Sequence, residues 1–212
     1  MGLLFRPLRV LGYDMQIIEC IQGTEEWHQA KLGCPSASNF DKIMTADCKP
    51  SKQREKYIYQ LAGEIITGRP HEGFKNTRME EGNENESASR VIYEFSLGVK
   101  VEQVGFCKTD DGLYGCSPDG LIGDDGGFET KDASPHIQAE RLHKGWTGSE
   151  HHRQVHGCLL VTGRKWWDLV SNCDGMKQIV VRVERDDDLM RKMHEQLILF
   201  CADLKRVVES IL

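Results

Sequence analysis

Proline is scarce in this 212-residue chain, with 6 in all, and no Pro-, Gly- or Ser-rich tract is long enough to serve as a linker. The reading that follows is one domain over 15–212. Internal repeats and low-complexity segments are missing too, which excludes solenoids and disordered tails. None of the 8 cysteines falls in a Cys-x-x-Cys pair, so zinc-ribbon and thioredoxin-like motifs are excluded. Their dispersal, with no export signal, favours reduced and mostly buried thiols in a cytoplasm over a disulfide framework. No apolar run approaches the roughly 20 residues needed to cross a bilayer, so no membrane partner is expected. The oily beginning is interrupted by Arg6, Pro7 and Arg9, has no small-residue cleavage site, and carries Arg6 where a myristoylation signal needs Ser or Thr. Residues 1–14 are read as a leader arm ahead of a second start at Met15.

An excess of positive charge is also lacking: the formal net charge is −6. The balance is uneven, at +2 over 1–79, −9 over 80–132 and +1 over 133–212. A carboxylate block is usually a solvated face, but it also holds divalent cations. Beside it, 131–165 contains six Lys or Arg and five His against three acids. An acidic centre next to a basic segment suits a metal site acting on an anionic polymer.

Apolar periodicity and turn signals predict strands at 16–19, 99–106, 113–116, 127–131, 165–170 and 178–183. Helices are predicted from Thr24, from Ser36 or Ser38, and over 53–66, 77–96 and 149–162. In the fourth of these, Val91, Ile92 and Phe95 form the expected apolar stripe. A last helix opens on Asp186-Asp187-Asp188, acids suited to the positive end of its dipole. Leu189, Met193, Leu197, Phe200, Leu204, Val208 and Ile211 give it one continuous stripe. Helices around a strand block indicate an α/β (α+β) fold with a central mixed β-sheet.

The informative stretch is Cys116-Ser117-Pro118-Asp119-Gly120-Leu121 followed by Gly126-Gly127-Phe128-Glu129-Thr130-Lys131. Gly123-Asp124-Asp125-Gly126 reads as a tight turn between two strands. In an extended strand Glu129 and Lys131 share one face while Thr130 points to the other. If the hairpin pairs, Asp119 comes near Glu129, and two carboxylates meet one ammonium. Hard oxygen ligands select Mg²⁺ or Mn²⁺ over zinc. A surface hairpin with alternating charges is the plain alternative.

Ser117-Pro118-Asp119-Gly120 with Glu129-Thr130-Lys131 resembles the Pro-Asp…(Asp/Glu)-x-Lys signature of the PD-(D/E)xK nuclease superfamily, with its restriction-endonuclease-like core. The wider context resembles the phage lambda-type exonucleases, or viral recombinase nucleases. Trp27-His28-Gln29-Ala30-Lys31-Leu32-Gly33 with Ser36-Ala37-Ser38 is similar to that family's first motif. Gly82-Asn83-Glu84-Asn85-Glu86 through Arg90 to Tyr93-Glu94-Phe95 is similar to its acidic-helix motif, and Arg153-Gln154-Val155-His156 to its glutamine motif.

The resemblance implies that Asp119 and Glu129 hold two metal ions with the Thr130 carbonyl and Glu86. It makes Lys131 the catalytic lysine and Gln154 the group that orients it or the water. Lys31, Ser36, Ser38 and Ser117 match positions that gather a 5′-terminal phosphate. Relatives commonly have Arg in place of Lys31 and a second glutamine in place of His156. The implied activity is Mg²⁺-dependent 5′-to-3′ digestion of one strand of linear duplex DNA. Its 3′ overhangs would pass to a single-strand annealing recombinase, with a homotrimeric ring working in a bacterial host that carries the phage or prophage. An endonuclease of the same chemistry and an inactive DNA-end-binding module are the alternatives.

Other features carry less. His152 and His156, an i,i+4 pair next to His151, lack the Glu and third ligand of a zinc helix, so a DNA-facing or core-edge role is expected. Trp166 and Trp167 should face opposite sides of a strand, one of them in the core.

Overall fold

Two sheets organise the chain, and helices cover both faces of the larger one. The computed structural model describes residues 15–71 and 77–212. The expected leader arm at 1–14 lies outside the described residues, as do the side chains at 82–85 of the acidic-helix motif.

The larger sheet grows from the hairpin expected in the sequence. β4 (Gly120–Ile122) and β5 (Gly126–Asp132) run antiparallel, β5 pairs in parallel with β6 (Trp166–Asn172), and β6 pairs antiparallel with β7 (Ile179–Glu184). The parallel step needs a crossover, supplied by α5 (Pro135–Lys144) and α6 (His152–Thr162). The sheet is therefore mixed, as expected. A second, antiparallel sheet joins β1 (Gln16–Ile18), β2 (Phe106–Lys108) and β3 (Gly115–Cys116). All eight cysteines are free thiols, six of them buried.

Close packing explains the double glycine. Gly126 and Gly127 lie opposite Trp166 and Trp167. A Cβ on either glycine would come within 2.2 Å of the facing indole, so a side chain there would displace the ring. The indoles divide as expected: Trp167 is fully buried, and Trp166 carries the Arg182 guanidinium 3.7 Å above its ring. Arg164 closes the β4–β5 turn by donating to the carbonyls of Gly123 (2.6 Å) and Gly126 (2.8 Å), while Lys165 pairs with Asp125. Two cations of the basic segment thus serve the hairpin.

The sheet face that carries Trp167 and Leu169 meets the main core, built with α2 (Phe40–Ile43), α3 (Arg54–Thr67), α6 and α7 (Asp187–Ile211). Asp186 caps α7 by accepting from the Leu189 N–H at 2.9 Å. Met193, Leu197, Phe200 and Leu204 face the core as expected, and Phe200 stacks on Tyr57 with centroids 5.5 Å apart. Leu189 and Val208 pack against the core partly buried, Met190 is buried as well, and Ile211 stands exposed past the core edge.

The opposite face carries Phe128 and Val170 and is covered by α4 (Thr77–Leu97). Here the expected stripe is corrected. Val91, Ile92 and Phe95 face outward, Phe95 at 90% exposure, while Ser89 and Tyr93 face the sheet. The reason is the polarity of the surface beneath: Thr130, Asp168 and Gln178 offer hydrogen bonds to a serine and a tyrosine. The strand expected at 99–106 is also corrected. The Val101 N–H is bound by the Glu94 carboxylate at 2.7 Å, and Glu102 makes a single bridge to Leu121. Pairing as a strand begins at Phe106. α5 was not expected, although Ser134 followed by Pro135 at its first turn is a helix-start signal.

Adjacent residues of α7 test this division. Phe200→Ala should lower stability by about 3–5 kcal/mol. Leu199→Ala, at 55% exposure, should cost under about 0.5 kcal/mol. Urea denaturation of both variants checks the assignment of faces.

Candidate active site

Gly120 pairs with Phe128 across β4 and β5, which sets Asp119 just before β4, opposite Glu129. The Asp119 Oδ2 accepts from the Thr130 N–H at 2.7 Å. Glu129, 2% exposed, accepts at Oε1 from Lys131 Nζ (2.7 Å) and from Gln154 Nε2 (2.5 Å). Its Oε2 is buried and has no hydrogen-bond partner among the described residues. Asp119, Glu129, Lys131 and Gln154 are therefore one cluster, drawn from β4's approach, β5 and α6.

Electrostatics reflect the crowding. Burial, with the charges of Glu129 and Glu86, pushes the Asp119 carboxyl well above the usual carboxylate range against the pull of Lys131 and the Thr130 N–H. Burial would lower Lys131, but the carboxylates of Glu129 and Asp119 outweigh it and hold the ammonium above its ordinary value. Glu86 is raised by burial and then by Glu129, and it also feels Lys131 and Asp132. Its carboxylate is thus within electrostatic reach of this cluster.

The approach to Asp119 is held by residues not singled out for this in the sequence. Gln22 Nε2 donates to the Pro118 carbonyl at 2.8 Å and to the Val104 carbonyl at 3.0 Å. The Trp27 indole N–H donates to Ser117 Oγ at 2.9 Å. Trp27 lies on α1 (Glu25–Lys31), capped by Thr24 as expected. Lys31 lies over the Trp27 ring, 3.7 Å from its centroid. Lys31 and Ser36 line a cavity of about 160 Å³ with His28, Asn39, Tyr57 and Glu64. Ser38 is exposed and meets Ser36 Oγ at 3.2 Å. Lys31 and Ser36 are thus in one cavity, Ser38 meets Ser36, and Ser117 is tied to Lys31 through Trp27. Burial lowers the Lys31 ammonium to about 8. The Glu64 carboxylate in this cavity is engaged by the N–H groups of Gly33 and His71 and by Gln60.

The histidines do not form a metal pair. His156 is 4% exposed and its Nδ1 meets the His152 carbonyl at 2.9 Å; His152 Nε2 meets the Thr147 carbonyl. His151 lies nearer the cluster, where burial and then the Lys131 charge lower it to about 4. Residues the sequence left unmarked are Ser89, Asp168 and Gln178, which dock α4. Serine and glutamine in mid-helix and turn positions carry no pattern that points to a site.

Among the described residues, no three His, Cys, Asp or Glu side chains converge as a complete metal cluster. Two hard carboxylates nonetheless suit a divalent cation, and the bare Glu129 Oε2 is the best fit for one. A buried carboxylate oxygen without a partner is costly, and hard cations take such oxygens.

Known proteins resemble the chain in sequence and in fold. The sequence profile of the YqaJ-like viral recombinase domain matches residues 26–165. The crystal structure of an alkaline exonuclease (LHK-Exo) from Laribacter hongkongensis is similar at 31% identity and TM-score 0.80, over 89% of this chain and 96% of that one. Its complex with dAMP is similar at 31% identity and TM-score 0.79, with the same coverage. A phage-related exonuclease from Haemophilus somnus 129PT shares the fold at TM-score 0.62 and 12% identity, over 84% of this chain and 96% of that one. Among curated proteins none matches. With the profile spanning most of the chain and the LHK-Exo structures matching nearly all of it, the chain belongs to the YqaJ-like viral recombinase family.

Proposed function

We propose that this chain, whose family and exonuclease relatives support a nuclease role, is a Mg²⁺-dependent exodeoxyribonuclease. It degrades one strand of linear duplex DNA from the 5′ end and leaves 3′ overhangs for a single-strand annealing recombinase. The observation that carries this reading is the Asp119, Glu129 and Lys131 cluster with Glu129 Oε2 bare. Asp119, Glu129, the Thr130 carbonyl and Glu86 would hold Mg²⁺ or Mn²⁺, as two ions. When bound, the metal polarises a phosphodiester and makes a water more acidic.

The chain's own residues do the rest. Gln154 and Lys131 hold Glu129 Oε1, which leaves Oε2 as the oxygen offered to the cation. Lys131, kept charged in the free site, binds the scissile phosphate and orients the attacking water. Lys31, Ser36, Ser38 and Ser117 gather the terminal phosphate, with Trp27 tying Lys31 to the Asp119 approach. This supports end-directed over internal cutting. The uncovered Val91, Ile92 and Phe95 support self-association, and a homotrimer is the assembly proposed. No helix among the described residues is long and apolar enough to cross a membrane. The proposed place of work is the cytoplasm of a phage-bearing bacterial host.

Digestion of a linear duplex labelled at one 5′ end should release mononucleotides with Mg²⁺ and none with EDTA. A closed circle should survive. Cutting of the circle would move the protein to the endonucleases, and end binding without cleavage would make it an end-binding module.

Asp119→Asn and Lys131→Ala should each reduce digestion on the order of 10³-fold while leaving duplex binding measurable. Near-normal turnover in either variant would remove these residues from the chemistry.

Lys31 gives a pH signature. Its ammonium is present below about 8 and lost above it. A charged donor to phosphate is worth about 1.5–3 kcal/mol, roughly a 10- to 150-fold preference. The ratio of digestion of 5′-phosphorylated to 5′-hydroxyl duplex should therefore fall as pH rises past 8, while Lys31→Arg keeps it level. A wild-type ratio that stays flat through pH 9 contradicts the assignment.

A further inference from the structure

We propose that Gln178 is a positioning residue for metal binding: through Ser89 it fixes the register of α4 on the sheet and so the place of Glu86. This rests on the reading of Glu86 as part of the metal site.

Gln178 stands at the turn from β6 into β7. Its Nε2 lies 3.0 Å from each of Ser89 Oγ, the Ser89 carbonyl and Asn172 Oδ1. One amide nitrogen therefore joins the helix to the sheet at a side chain and at the main chain. Ser89 is fully buried, and its Oγ meets Thr130 Oγ1 at 2.8 Å. Thr130 is the residue between Glu129 and Lys131. The helix is thus tied to the strand at the position between the acid and the base. Glu86, three residues before Ser89, shares its helix face.

The need for such a tie follows from the packing. Among the described residues, the apolar contact under α4 has Tyr93, Val101, Ile122, Phe128 and Val170 as its buried members, with Val99 and Trp166 partly buried against them. Apolar burial is non-directional and tolerates rotation or a slide of the helix, whereas hydrogen bonds fix direction. Tyr93 makes a second tie, to Asp168 at 2.5 Å, but it lies seven residues from Glu86, about two turns away. Among the described residues, Ser89 is the anchor nearest the acid. A half-turn of the helix would carry Glu86 away from the cluster and leave Asp119 and Glu129 unchanged.

The test uses the full chain and Mn²⁺ as the probe. Gln178→Leu keeps the bulk of the side chain and removes its donors. Calorimetric titration should show Mn²⁺ affinity reduced roughly tenfold, and half-maximal digestion should need more Mg²⁺ by a similar factor. The rate at saturating Mg²⁺ should fall less. Because Gln178 acts through Glu86, the Glu86→Gln/Gln178→Leu double variant should bind Mn²⁺ no more weakly than Glu86→Gln alone. Ser89→Ala removes the side-chain part of the tie, its contacts with both Gln178 and Thr130, and serves should Gln178→Leu not fold. Unchanged Mn²⁺ affinity in the folded variants, or losses that add in the double variant, overturns the proposal. Wild-type affinity in Glu86→Gln overturns it as well, by taking Glu86 out of the site. Failure of the wild type to bind Mn²⁺ brings down the metal-site reading itself.

Discussion

A carboxylate buried in a sheet is the constraint around which this molecule is arranged. Glu129 lies in β5, almost wholly out of water, with one oxygen held by an amide and an ammonium and the other without a partner among the described residues. Taking a charge out of water is tolerated only where partners replace the lost hydration. Those partners are Lys131 from the same strand and Gln154 from the crossover helix, while Asp119, from the far side of a turn, sets a like charge beside them. Each needs the sheet order, the parallel step and the hairpin register to be what they are. The crossover helix is thus more than a connection, because it delivers the amide that selects which oxygen of Glu129 stays available.

The two faces of the sheet are held by different forces. On one, α7 and its neighbours bury a broad apolar core, and stability comes from area and shape. On the other, α4 lies over a few apolar side chains and a line of polar contacts that ends near the acidic cluster. The Arg182 pair with Asp168 belongs to this line: a buried aspartate accepts both Arg182 and Tyr93. Such contacts are directional, and the helix they hold is the one that carries Glu86. Apolar packing supplies most of the stability, and polar packing supplies the placement.

Much of this was legible in the residues. Gly-Gly opposite Trp-Trp, the Pro-Asp approach, the turn at 123–126 and the long stripe of α7 each have a local cause that alternation or helical period exposes. The nearness of Asp119 to Glu129 could be read because strand alternation and a two-stranded turn suffice to predict it. The orientation of α4 could not. Val91, Ile92 and Phe95 have the spacing of a core stripe, and the rule that apolar faces turn inward gives the wrong side. What decides the matter is the chemistry of a surface assembled from β5, β6 and the start of β7, which no window of α4 contains. The segment before β2 failed for a related reason: its backbone groups are taken by side chains outside it, Glu94 at the end of α4 and Gln22 far away in sequence. Gln178 has no motif at all, and its part emerges only when three acceptors are seen around one nitrogen.

The thiols described with the fold give the chain an uneven chemical reactivity. Cys107, Cys116 and Cys158 lie buried against one another beneath the acidic cluster, beyond the reach of bulky alkylating reagents. Of the two that are only half-buried, Cys201 is pushed up to about 12 by burial and holds little thiolate at any ordinary pH. Cys20 is left as the position a maleimide meets first. It precedes by two residues the Gln22 that grips the Pro118 carbonyl. A fluorophore attached there would stand beside the approach to Asp119 with every acid of the cluster intact.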